Sequence, residues 1–305
     1  MRATTLPSAA ERDEYLLPRD EFEKKRLILQ QTVIVRQFGN RLLAPGVELE
    51  EGDHVLDVGC GTGIWSINLA ARSPQSVHFE ACDLSSKNFL DIKPLGINNI
   101  NFSTCSILAL PEEWTGRFTV VQSRLMHASI TVEEWRQGFQ ELMRVLKPGG
   151  WLQIVEIDLS SFYNDGLDNI SKSPVPPQAE LNAIWSEVVK NAGMMWELEG
   201  QMRALVTEAG FENIKWESKV FSTEGGDASA SNAGQGNLED DTLACMVNVM
   251  RSSKRTITGT GKISGERFDQ NIEAMANGWK DVPKTEEGRG WRWHFFSAQK
   301  PLHSS

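Results

Sequence analysis

The sequence predicts an α/β protein built on a doubly wound, mostly parallel sheet, and three observations carry that expectation. Short apolar runs alternate with helix-period segments from about residue 54 to residue 221, the pattern of parallel strands joined by right-handed helical crossovers. The run His54-Val55-Leu56-Asp57-Val58 passes through Gly59-Cys60-Gly61-Thr62-Gly63 into Ile64 to Ala70, which reads as strand, tight loop and helix. A second apolar run, Val77 to Cys82, closes on Asp83. An acid there, at the end of a second strand, is placed to grip the hydroxyl pair of a ribose. Glycines in the loop let the backbone approach a ligand that a Cβ would hold off.

The remaining elements follow in order. Asp20 with Glu23 three residues on reads as an N-cap opening a helix through Leu42. Its apolar residues Phe22, Leu27, Val33, Ile34, Phe38 and Leu42 are too frequent for one narrow stripe, so cover on more than one side is expected. Strands are expected near 54–58, 77–82, 100–104, 118–123, 150–157 and 213–221. Thr131 and Glu134 form a capping box ahead of a helix carrying Trp135, Phe139, Leu142, Val145 and Leu146 at helical spacing. Lys147-Pro148-Gly149-Gly150 should stop it. Ser173-Pro174-Val175-Pro176-Pro177 reads as a rigid break before helices near 178–192 and 197–209. After the sixth strand, the Gly/Ser/Ala-dense stretch Thr223 to Gly236 is expected to be a flexible loop. Helices near 240–253 and 265–280 follow, and Trp291 to Gln299 alternates like a strand. The expected divisions are an N-terminal helical segment (1–45), a core (46–222), a loop with a helical insertion (223–285), and a last strand with its tail (286–305).

The loop also narrows the ligand. A dinucleotide fingerprint needs a glycine at the sixth position counted from Gly59, where this chain has Ile64, and the Lys and Ser/Thr of a phosphate loop are absent. Val55-Leu56-Asp57-Val58-Gly59-Cys60-Gly61-Thr62-Gly63, together with Arg144 to Gly150 ahead of the fifth strand, resembles class I S-adenosylmethionine-dependent methyltransferases. The resemblance covers roughly residues 20 to 220 and resumes at the C-terminus.

It implies a Rossmann-like, seven-stranded, mostly parallel sheet with the last strand antiparallel and an N-terminal helical lid; family members would make a hairpin to that last strand, where this chain instead carries a long loop and helical insertion. S-adenosyl-L-methionine is the implied cofactor. Asp57 would face its methionine portion, Gly59, Gly61 and Gly63 would form the loop, and Asp83 would hold the ribose with Leu84 beside it. Ser106 stands where the family often has an acid near the adenine amine, a weaker and uncharged acceptor. Adenine contacts then fall mainly to the backbone near Ile107, and Ser123 lies at the end of the fourth strand.

Gln122 to His127 lacks the Asn/Asp-Pro-Pro-Tyr/Phe signature of amino-methylating DNA and rRNA enzymes. With Pro18, Glu23, Arg26-Leu27 and Trp65, this segment looks more like fungal small-molecule methyltransferases and their relative, a regulator of secondary metabolism.

Composition bounds the partners. The 305 residues are 40% hydrophobic with a net charge of −10, from 31 basic and 41 acidic side chains. No basic block interleaves with aromatics, which argues against nucleic acid. Cys60, Cys82, Cys105 and Cys245 lack paired metal spacing, so a reduced cytoplasmic chain without a metal is expected. Neither a leader nor a membrane span is indicated.

Methyl transfer needs alignment, water exclusion and, for a hydroxyl acceptor, the handling of one proton. His127, just past the fourth strand, is the candidate base, because its ordinary pKa is near neutral. His294 is the rival, but its strand-like setting suggests a structural role. Glu156 and Asp158 end the fifth strand, where an acid can bind an amine, guide a hydroxyl or simply face solvent. Trp185, Met194, Met195 and Trp196 are expected around an apolar substrate pocket. The expected function is methylation, most directly O-methylation, of a small secondary metabolite. The alternatives are a methyltransferase-like regulator and a cofactor-binding fold serving a different reaction.

Overall fold

The computed structural model describes residues 17–127, 129–158, 176–221, 237–278 and 291–302. The expected loop at 223–236 and most of the proline-rich break lie outside the described residues. The strands are β1 (His54–Val58), β2 (His78–Asp83), β3 (Ile100–Thr104), β4 (Phe118–Arg124), β5 (Leu146–Asp158), β6 (Glu212–Val220) and β7 (Arg292–Gln299). They form one sheet in the order β3-β2-β1-β4-β5-β7-β6, parallel except for β7, which runs antiparallel to both β5 and β6. The helices are α1 (Glu21–Gln37), α2 (Ile64–Ala70), α3 (Val132–Val145), α4 (Pro176–Asn191), α5 (Leu198–Glu208), α6 (Leu238–Ser252), α7 (Lys254–Gly259) and α8 (Gly265–Gly278). This is the doubly wound, Rossmann-like methyltransferase architecture.

Strand periodicity divides the core between the two faces of the sheet. Leu56, Val58, Val121, Leu152 and Ile154 pack with Trp135, Phe139 and Leu142 of α3 and Met202 and Val206 of α5. Val55, Phe79, Ala81, Val120 and Val155 face a second cluster that includes Val33 and Ile34 of α1, Trp65 of α2 and Met246 of α6.

Helix α1 starts as expected, with the Glu23 N–H donating to Asp20 Oδ1 at 2.9 Å. It stops at Gln37 rather than Leu42, because Gly39 and Asn40 take left-handed φ of 71° and 61°. The following turn is pinned to the sheet: the Leu42 carbonyl accepts from the Trp65 indole at 3.1 Å and the Gln153 amide at 2.9 Å. Of the apolar set on α1, Phe22 is solvent-exposed, and Val33, Ile34 and Phe38 are buried.

The capping box at Thr131 and Glu134 closes in both directions. Helix α3 ends at Val145, but β5 begins at once with Leu146 instead of after the glycines, since Leu146 already pairs with Phe118. Pro176 and Pro177 open α4, the first-turn location at which a missing N–H costs nothing.

Gly150 is held by backbone on two sides: a Cβ there would lie 2.9 Å from the carbonyls of Lys147 and Phe118. Gly200, inside α5, has open space. Gly150→Ala is expected to cost ~1–3 kcal/mol of stability, whereas Gly200→Ala should gain ~0.5–1 kcal/mol from helix propensity. Urea denaturation of the two variants reads the contrast, and equal midpoints would contradict it.

Candidate functional site

The strand order reverses between β1 and β4, and a large cavity opens at the carboxyl ends of the strands there, where α/β sheets of this topology bind ligands. Its floor is the β1 loop from Val58 to Thr62. Asp83 and Leu84 follow β2, and Cys105, Ser106 and Ile107 follow β3. The other end is lined by Arg124 to His127 after β4, Ile157 of β5, Leu27 of α1, Trp185 of α4 and Met250 of α6.

The loop's glycines have different reasons to be glycines. All three take φ between 57° and 74°. A Cβ on Gly59 would lie 2.5 Å from Met126 Sδ, and one on Gly63 would lie 2.3 Å from the Phe102 ring. Gly61 has only Leu27 Cδ1 at 3.4 Å and faces the cavity. Its N–H donates to Asp83 Oδ2 at 2.9 Å, and the Ser85 N–H donates to Oδ1 at 3.3 Å. Burial raises the Asp83 pKa above the ordinary carboxylate value, against these two bonds.

Asp57 lies beneath the loop, fully buried, and does not line the cavity. Its Oδ2 accepts from the Ser66 hydroxyl at 2.9 Å, while Oδ1 has no partner among the described residues. Burial pushes its carboxyl up to about 6, against the pull of the nearby Arg124 guanidinium. Arg124 donates to Gln31 Oε1 and has no carboxylate within ion-pair distance among the described residues. Gly63 and Ser123 are also absent from the cavity wall, and the Ser123 hydroxyl is buried with no partner among the described residues.

The β4 end is bent sharply. Leu125 takes φ 58°, a left-handed conformation uncommon outside glycine, and its N–H donates to the Val155 carbonyl at 3.0 Å. The turn brings two groups onto one carboxylate. The Met126 N–H donates to Glu156 Oε1 at 2.6 Å, and His127 Nδ1 lies 2.8 Å from Glu156 Oε2. Glu156 is 1% exposed and His127 7% exposed, so neither faces bulk solvent. His127 Nε2 is buried with no partner among the described residues, and the residue lines the cavity.

His294 is elsewhere, with Nδ1 2.7 Å from the Ser218 hydroxyl and Nε2 3.5 Å from Asp158 Oδ2. Of the residues expected around an apolar pocket, Trp185 lines the cavity. Met194 and Met195 are buried in the two cores, and Trp196 packs under the Lys190 ammonium at 4.3 Å. Met126 and Met250 take their place on the wall.

A buried network on the roof was not foreseen from sequence. Arg26 donates to both Glu23 oxygens at 2.8 and 2.6 Å and to Gln30 at 3.0 Å, and the Ser252 hydroxyl of α6 donates to Glu23 at 2.8 Å. Its only signal in the sequence was Glu23 and Arg26 one turn apart on an otherwise apolar helix.

The family model described as "Methyltransferase domain" matches residues 55–150. Residues 55–150 therefore carry a methyltransferase domain, and S-adenosyl-L-methionine is its cofactor. Among its relatives are methyltransferases of fungal secondary metabolism. The chain is 27% identical to methyltransferase grgD of a Penicillium species over 68% of this chain and 72% of that protein. It is 32% identical to N-methyltransferase gliN of Aspergillus fumigatus over 50% of this chain and 53% of that one. It is 28% identical to the secondary metabolism regulator LAE1 of Cochliobolus heterostrophus over 66% and 63%. These alignments therefore span from about half to 72% of the relatives' lengths. In fold the chain is similar to phosphoethanolamine N-methyltransferase 2 of Haemonchus contortus, with a TM-score of 0.56 at 17% identity over 96% of this chain and 59% of that chain. Among the described residues no His/Cys/Asp/Glu group can hold a metal ion, and no helix is long and apolar enough to cross a membrane.

The residues fit the cofactor. The unpartnered Asp57 oxygen and the Arg124 guanidinium are opposite charges matching an amino-acid head group, Gly61 opens the cradle, and Asp83 retains lone pairs for hydroxyls.

Because the folded-state pKa of Asp57 is raised, ionising it costs stability. Between pH ~4 and ~6 the folded chain holds the proton more tightly than the unfolded chain, so this group's contribution falls as pH rises through that window, by at most ~3 kcal/mol. The stability of Asp57→Asn relative to the native chain should therefore improve from pH 4 to pH 7. Thermal melts at both pH values test this, and parallel curves would refute the assignment.

Proposed function

We propose that this chain methylates a hydroxyl group on a small, flat, apolar metabolite, with His127 as the base. The single observation that carries this is His127 on the cavity wall, among Leu125, Met126, Ile157, Trp185 and Met250, with a buried Nε2 that has no partner among the described residues. A neutral amine can be methylated without prior proton removal, whereas a neutral hydroxyl is a poor nucleophile until its proton is drawn off. A base in an apolar pocket therefore favours the oxygen acceptor, although N-methyltransferases are among the relatives.

In this proposal Asp83 accepts from the ribose hydroxyls, and Gly59, Gly61 and Leu84 border the sugar. Ser106 and Ile107 receive the adenine. Asp57 attracts the ammonium from beneath the loop, with Gly63 and Ser123 shaping the loop and strand end beside it, and Arg124 faces the carboxylate. Bound S-adenosylmethionine supplies an electrophilic methyl group on a sulfonium. The protein's part is to orient the acceptor, exclude water with its apolar walls and take one proton. Of the expected N-terminal segment (1–45) and insertion (223–285), the described residues 17–45 and 237–278 form the roof over the core. The relative named as a regulator supports a second reading, in which binding matters more than turnover. Measurable multiple turnover on a small molecule would dismiss it.

Two experiments test the proposal. Calorimetry with S-adenosylhomocysteine should show affinity reduced in Asp83→Ala, by ~1–3 kcal/mol, and in Gly61→Val, whose φ of 57° a branched residue resists. Undiminished affinity in both would overturn the cofactor site. Transfer of labelled methyl to a panel of hydroxylated aromatic metabolites should fall ~10²–10⁴-fold in kcat in His127→Ala, with cofactor affinity unchanged. Near-native turnover in that variant would remove the base.

A further inference from the structure

We propose that Glu156 is a positioning residue that locks His127 in one tautomer, and that this lock restricts the acceptor to neutral hydroxyl or N–H groups while rejecting carboxylates. The inference rests on His127 facing the acceptor, as proposed above, and reaches beyond it to the class of substrate admitted.

The argument is a hydrogen-bond inventory. Both oxygens of Glu156 are engaged, Oε1 by the Met126 N–H at 2.6 Å and Oε2 by His127 Nδ1 at 2.8 Å. A carboxylate can only accept, so the bond to Oε2 requires the proton to be on Nδ1. In the neutral ring Nε2 is then the acceptor. It is buried, it lacks a partner among the described residues, and its ring lines the cavity. The lock is rigid at both ends. Glu156 lies within β5, paired with His294 of β7, and the His127 turn is held by the Leu125 N–H on Val155 and the Met126 N–H on Glu156. Ring rotation to the other nitrogen would break the 2.8 Å bond and leave a buried carboxylate oxygen unpaired.

An unpaired Nε2 lone pair on a residue of the cavity wall, beside Leu125, Met126, Ile157, Trp185 and Met250, selects its ligand. A hydroxyl or N–H satisfies it. A carboxylate, ionised at neutral pH, brings only acceptor oxygens and would face Nε2 lone pair to lone pair. In the step itself the acceptor's O–H bond breaks as the proton moves to Nε2, and the resulting imidazolium is stabilised by Glu156, which keeps its charge. The proton returns to solvent after product leaves.

Glu156→Gln makes the inference sharp. If the amide oxygen stays on the Met126 N–H, the amide NH2 faces Nδ1 and donates to it. The tautomer must then invert, placing N–H on Nε2 and a donor in the cavity. Long-range ¹H–¹⁵N spectra of ¹⁵N-histidine-labelled protein read this directly. In the native chain the His127 signal should be that of Nδ1–H with unprotonated Nε2, and in Glu156→Gln the two should exchange.

Turnover of a hydroxyl acceptor by Glu156→Gln should drop ~10²–10⁴-fold, with S-adenosylhomocysteine affinity unchanged, and adding His127→Ala should cost little more. Glu156→Asp, too short to span both partners, should lose the single tautomer without inverting it. On protein loaded with S-adenosylhomocysteine, 2-naphthol should bind at least about tenfold more tightly than 2-naphthoate, roughly the cost of one mismatched hydrogen bond. A native spectrum with unprotonated Nδ1, an unchanged tautomer in Glu156→Gln, or naphthoate binding as tightly as naphthol would each overturn the inference. These spectra are independent of turnover, so a catalytically silent His127 with the expected tautomer would fail the base proposal and leave the lock standing.

Discussion

The reversal of strand order between β1 and β4 is the constraint on which the rest of this molecule depends. Chain leaving β1 turns into α2 on one face, and chain leaving β4 turns into α3 on the other, so their carboxyl ends part and a crevice opens. Backbone groups released there need not pair across the gap, and polar side chains can be left waiting for a ligand. Asp57 Oδ1, the Ser123 hydroxyl and His127 Nε2 are all buried at these strand ends and have no partner among the described residues. Each such group costs ~1–3 kcal/mol in the absence of a partner. The two packed faces of the sheet, with Trp135, Phe139 and Phe79 fully buried, offset that cost.

The same crevice gives the glycine loop a double duty. Gly59 and Gly63 are dictated by close packing against Met126 and Phe102, and Gly61 alone faces open space. The loop is thus rigid because its neighbours fill the room that side chains would need. Met126 in turn is fixed by its N–H bond to Glu156. Position of the loop and position of the candidate base are mechanically linked through one methionine, since the residue whose sulfur abuts Gly59 immediately precedes His127.

Much of this was legible in the sequence, for identifiable reasons. Alternating periodicities fixed the strands to within a few residues, and the capping box at Thr131 and the cap at Asp20 form as local chemistry requires. Local signals misled where tertiary pairing overrode them. The Pro-Gly-Gly run reads as a break before a strand, yet Leu146 pairs with Phe118 before it is reached. The site was legible where it is local, in the loop and Asp83. Long-range side-chain partners were invisible: Glu156 reads as a strand-end acid suited to solvent, and only the β4–β5 register together with the left-handed Leu125 puts it under His127. Arg124 likewise gave no sign that it would lie near Asp57, because β1 and β4 are separated in sequence by two other strands.

The roof explains why cofactor and acceptor differ so much in legibility. Helices α1 and α6 are about two hundred residues apart but are stitched together by Arg36 on Asp241 at 2.8 Å, Gln37 on Thr242 at 3.2 Å and Ser252 on Glu23 at 2.8 Å. Leu27 and Met250 line the cavity from these two helices. The floor comes from strand ends whose chemistry is imposed by a nucleoside, so its residues form a compact motif. The wall above comes from segments outside the alternating core, and no local pattern announces them. The buried Glu23–Arg26 pair, both partners essentially without solvent exposure, makes that seam a demanding fit. Removing either partner would strand a charge in the interior, so this region can change its apolar lining residues far more freely than the α1 ion pair on which Ser252 of α6 docks.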